Sequence, residues 1–160
     1  MSITENIEAD VRYLKEIVSR LLRVGVVSTV NPDNATVRVK IGDQSDLVTY
    51  ECPVVFAKTH NDKAYWMPDP GDHVLVLSLP YGVSQGFVLG AVYSRTDTVP
   101  VSSRDKWRYE FKDGSVFEYD RNKNHLDINV KGTVALHADG AVTIDSGKSV
   151  AVTAPRIDLN

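Results

Sequence analysis

The side chains best suited to chemistry are scattered: His60, His73, His125 and His137 lie far apart, and Cys52 is the single cysteine among 160 residues. One cysteine excludes an intrachain disulfide and a cysteine-based zinc cage within the chain, and Cys52 reads as a small core residue. No Ser-His-Asp set, glycine-rich phosphate loop or metal-ligand spacing stands out. Asp127, Asp139 and Asp145 are the candidate carboxylates for sugar cleavage, a reaction that needs acids converging on one bond. In the eight-residue frame described below they occupy positions two, six and four, so they form no column and read as solvated strand edges and turns. Tyr50, Tyr65, Trp66 and Tyr81 are candidate stacking platforms for a nucleic acid or oligosaccharide. Against this, residues 23–97 carry 6 basic and 8 acidic side chains, whereas grooves that track a phosphate backbone are basic. The sequence thus predicts no catalytic residue, no cofactor, no metal and no nucleic-acid partner.

Three periodicities divide the chain. Over 1–22, Ser2 and Glu5 match a capping box, and Ile7, Val11, Leu14, Val18 and Leu21 recur at heptad spacing. This predicts an amphipathic helix, either the strand of a coiled coil or a helix packed on its own domain. The opening residues are acidic and lack the basic start and apolar stretch of an export signal, and no run is long and apolar enough for a membrane span. Over 23–95, strands are predicted at Val24–Val30, Ala35–Ile41, Leu47–Phe56, His73–Leu79 and Gly86–Tyr93, with Pro53 marking a bend or edge. Five strands in about 70 residues are the inventory of a small Greek-key barrel such as an OB-fold. Residues 96–105 read as a linker.

Residues 106–160 carry a repeat. Leu126-Asp-Ile, Val134-Ala-Leu, Val142-Thr-Ile and Val150-Ala-Val open four successive octads, with glycine in the turn portion at Gly132, Gly140 and Gly147. Each octad reads as a short strand with one apolar face, followed by a turn. Trp107, Tyr109 and Phe111, then Phe117 and Tyr119, alternate in the same way with larger side chains. Four- or five-residue strands cannot bury such a face against themselves, and a period of eight is too short for one chain to enclose an interior. Three chains sharing each turn would enclose one, with Leu126, Ile128, Val134, Leu136, Val142, Ile144, Val150 and Val152 as the trimer core. The predicted fold class is therefore mainly β: a short N-terminal helix, an OB-fold-like five-stranded barrel and a C-terminal triple-stranded intertwined β-helix. The competing expectation is a monomeric OB-fold binding module for nucleic acid or oligosaccharide.

In this order the helix, Val24-Gly-Val-Val27, Trp66-Met-Pro-Asp-Pro-Gly-Asp-His-Val-Leu-Val76, Gly86-Phe-Val-Leu-Gly-Ala-Val-Tyr93 and the octads resemble the baseplate spike, or baseplate assembly protein V, family of contractile-tailed phages. That family is related to the valine-glycine-repeat spikes of type VI secretion. The resemblance implies a structural, non-enzymatic homotrimer at the tail baseplate of a virion or phage-derived particle, docked on the hub protein and pushed into the target cell envelope. Many short members of the family end in a His-x-His apex that holds iron, and no two histidines here have that spacing, so no such metal is expected. Some larger relatives insert a cell-wall hydrolase after the barrel, but about ten residues separate Tyr93 from Arg104 here. With Ile157 and Leu159 near the tip, a blunt apolar end predicts a separate tip protein of the PAAR type, or an apex missing from the sequence.

Overall fold

The computed structural model describes residues 3–42, 47–80 and 86–158, and it divides into two compact units, Met1–Val99 and Pro100–Asn160. The first unit opens with α1 (Ile3–Leu21), as the heptad spacing predicts. Glu5 in its first turn and Arg20 in its last complement the helix dipole, and Arg20 pairs with Glu16 one turn earlier at 2.5 Å. Ser2, the expected capping residue, lies outside the described residues.

Strand β1 (Leu22–Asn31) follows the helix with no intervening loop, and β2 (Thr36–Ile41), β3 (Cys52–Pro53), β4 (His73–Ser78) and β5 (Gly86–Ala91) complete a sheet of order β3-β2-β1-β4-β5. All four pairings in it are antiparallel. β1 serves two neighbours: Leu22 to Val26 pair with β4, and Gly25 to Asn31 pair with β2. Its register shifts between Val27 and Thr29, where the Ser28 hydroxyl donates to the Arg38 carbonyl. Such a bulge bends a strand and lets one long strand turn from one side of a barrel to the other. Closure comes from a parallel bridge, Val54 to Val88, and from the Val55 N–H donating to the Val88 carbonyl at 2.9 Å. The result is a nearly closed, OB-like five-stranded barrel.

The third strand is much shorter than the predicted Leu47–Phe56. Ile41 N–H donates to the Leu47 carbonyl and Val39 N–H to the Thr49 hydroxyl, so this edge of β2 is covered partly by a side chain instead of a continuous ladder. Pro53, having no N–H, limits the pairing at the other end. The turn expected over 42–46 is described only at Gly42, which has a positive φ of 79°. The core is built from small branched side chains, Val27, Val37, Val39, Ile41, Val74, Val76 and Val88, with Cys52 fully buried among them.

The second unit contains an antiparallel meander of β6 (Lys106–Glu110), β7 (Val116–Asp120) and β8 (His125–Asn129). Gly114, at φ 83°, turns the first connection, and the Asp113 carboxylate accepts from both the Ser115 N–H and hydroxyl. Those bonds hold the Asp113 carboxyl below its usual range, the backbone bond from Ser115 first. Asp120 secures the second connection by accepting from the Asn122 and Lys123 N–H groups. Beyond β8 the described residues form no further helix or strand, and the chain bends at 131–132, 139–140, 147–148 and 155. The eight-residue period is thus written into the backbone. The strands expected at the second, third and fourth octads form no ladder, because the chain offers them no second strand within reach.

Candidate association surface

The meander sorts its side chains by pairing. Trp107 lies opposite Tyr119, which lies opposite Leu126; Tyr109 lies opposite Phe117, which lies opposite Ile128. Directly paired residues project to the same side of a sheet, so these six make two parallel rows on one apolar face. Trp107 and Tyr109 meet edge to face with ring centroids 5.0 Å apart. The face is left open: Trp107, Leu126 and Ile128 are 53–58% exposed.

The reverse face is ionic. Glu118 sits at its centre, 2.6 Å from the Lys106 ammonium and 2.7 Å from the Arg108 guanidinium, and Arg108 also reaches Glu110 at 2.8 Å. The bond from Lys106, followed by that from Arg108, pulls the Glu118 carboxyl below the ordinary carboxylate range, and Glu118 in turn raises Arg108. Because the folded form holds this carboxyl at a depressed pKa, its contribution to stability is complete above the unfolded value of about 4.3 and is lost as pH falls through the folded value. Thermal melting followed from pH 6 down to pH 3 is therefore expected to show an acid-side decline that Glu118→Gln makes shallower, with little difference between the two proteins' slopes above pH 6.

The two expected core residues on β8, Leu126 and Ile128, are brought together with the aromatics. The other six, Val134, Leu136, Val142, Ile144, Val150 and Val152, lie along the run beyond β8 with 54–76% of their surface open. Among the described residues, no backbone–backbone hydrogen bond forms within 132–158. Gly132, Gly140 and Gly147 there have ordinary negative-φ backbones, and a side chain placed on any of them would meet nothing within 4 Å in the single chain. Ile157 is half-exposed, and Leu159 lies outside the described residues.

Trp107, Tyr109, Phe117 and Tyr119 were not singled out as surface residues from sequence, although their alternation was visible; the grouping depends on strand register. His125 falls on the ionic face opposite Asp120, and Asp127 opposite Glu118. On the barrel, Tyr65 stacks on Phe56 at 5.6 Å, Tyr50 and Trp66 are exposed, and Tyr81 lies outside the described residues. Among the described residues no group of three or more His, Cys, Asp or Glu side chains is placed to hold a metal ion.

Residues 23–93 match the family described as the Type VI secretion system/phage-baseplate injector OB domain. The span coincides with the barrel. The chain is also similar to the Spike protein of Escherichia phage P2, with 25% identity over 138 residues that cover 86% of this chain and 64% of that protein. The chain thus spans slightly less than two thirds of that relative's length.

Proposed function

We propose that this chain, whose residues 23–93 match the Type VI secretion system/phage-baseplate injector OB domain, belongs to the phage-baseplate spike family, and that three copies of it form the central spike of a phage or phage-like contractile tail, docked on the baseplate hub and driven into the target cell envelope. The similarity to a spike protein extends past the barrel into the C-terminal half, since the aligned part covers 86% of the chain.

The homotrimer rests chiefly on the open run of residues 130–158. A backbone without a ladder has donors and acceptors to satisfy, and branched side chains at 54–76% exposure have a face to bury. Strands from neighbouring copies meet both needs at once. Leu126, Ile128, Val134, Leu136, Val142, Ile144, Val150 and Val152 are then the core of an intertwined β-helix. Glycines that neither turn the chain left-handed nor touch anything in one copy suit a close approach by the next. A PAAR-type tip protein meeting Ile157 belongs to the same reading. The role is mechanical and assigns no catalytic residue.

Light scattering on the purified protein tests it. A mass near 53 kDa, three times 17.7 kDa, that survives dilution is the expected result. A single-chain mass overturns the spike and returns the barrel, with its exposed Tyr50 and Trp66, to the role of a monomeric binding module.

A further inference from the structure

Helix α1 presents two distinct apolar faces. Tyr13, Ile17 and Leu21 turn toward the barrel and, with Arg23, Ser78 and Leu79, line a cleft between the helix and the ends of β1 and β4. The stripe of Ile7, Val11, Leu14 and Val18 is centred roughly 90° away around the helix, at 100° per residue, with Leu21 at the border of the two faces. It is uncovered: Ile7, Val11, Leu14 and Val18 are 44–68% exposed, and the 19-residue helix has no buried residue. The stripe is therefore not what holds the helix to its own barrel. A helix of this length is marginal in water without a packed face.

We propose that the α1 helices of three copies pack along this stripe as a parallel, in-register coiled coil, a contact separate from the C-terminal rod. The number three rests on the spike reading above, since valine at the a positions (Val11, Val18) and isoleucine or leucine at d (Ile7, Leu14) would also suit a pair. Parallel orientation follows from rotational symmetry about one axis. Charge supports the register: Asp10 takes a g position and Lys15 the e position five residues on, so each Asp10 faces the Lys15 of a neighbouring helix. Among the described residues neither has an ion-pair partner within its own chain. β1 begins at Leu22, directly after the helix, so a bundle of the helices constrains the barrels with no slack between them.

Leu14→Cys, in the seam, and Arg12→Cys, on the outer face, are to be made separately in the full chain, with the buried Cys52 left in place. After mild oxidation, non-reducing electrophoresis is expected to show about two thirds of the Leu14→Cys chains as linked pairs, the most that three thiols at one level allow, and a small background for Arg12→Cys. Equal linkage at the two positions, or none at Leu14→Cys, would overturn the coil. A mass still near 53 kDa would then leave the rod trimer standing, whereas 17.7 kDa would remove both.

Discussion

Ile144→Asp is expected to reduce the protein from three chains to one, read as a fall in solution mass from about 53 to 17.7 kDa. Ile144 is 73% exposed in the single chain, so the substitution costs an isolated copy almost nothing. In the proposed rod the same position is interior. There it loses about 1.5–3 kcal/mol of side-chain burial per chain. It also places an unpaired carboxylate out of water, at about 3–5 kcal/mol. Threefold symmetry brings three such carboxylates to one level, where they repel one another. Thr143→Asp, one residue earlier on the opposite side of an extended chain, is the matched control and is expected to keep the higher mass. Loss of the trimer by both variants, or by neither, would contradict the inward assignment of octad positions one and three.

The second large effect is expected at Gly25→Ala. Gly25 lies where β1 is paired on both sides, to Ile41 of β2 and to Val74 of β4. A methyl group there would stand 2.5 Å from Val39 Cγ1, 2.6 Å from the Lys40 carbonyl oxygen and 2.8 Å from Ile41 Cδ1. Relief would require moving backbone in a nearly closed barrel whose interior is already filled by valines. Overpacking of this kind costs about 2–3 kcal/mol. The barrel's melting transition should fall by roughly 10–20 °C. Gly90→Ala, where the added methyl meets nothing within 4 Å, is expected to change little. Calorimetry on the two variants separates a steric demand at Gly25 from a general cost of replacing glycine in a strand.

The barrel was legible in the sequence because β1, β2, β4 and β5 each alternate within clear turn signals. Its closure was not. The parallel contact of Val54 with Val88 joins segments far apart in sequence, and β3 shrank because Thr49 caps β2 with its side chain while Pro53 cannot donate. The heptad on α1 was legible as a stripe, yet only the position of Tyr13, Ile17 and Leu21 against the barrel separates the two faces of the helix. The octad frame was legible and reappears as bends eight residues apart. What sequence spacing left out was the neighbourhood that cross-strand register gives Leu126 and Ile128. Grouped with the repeat, they lie in the structure beside Trp107, Tyr109, Phe117 and Tyr119, an association set by cross-strand register. The ion pairs around Glu118 had a signal in the alternating Lys106, Arg108 and Glu110, but its meaning required the reverse face to be apolar.

That two-sided sheet bears on how identical chains find one alignment. Octads so alike in pattern can be displaced by eight residues and still match apolar to apolar, so the repeat alone leaves several near-degenerate ways to pair. The rows Trp107–Tyr119–Leu126 and Tyr109–Phe117–Ile128 occur once per chain, and a copy shifted by one octad would set an aromatic against a valine. A slip of a single residue would turn Arg108 and Glu118 inward. In the proposed rod the meander would act as an index mark, making one phase of zipping cheaper than its neighbours before the repetitive part is engaged.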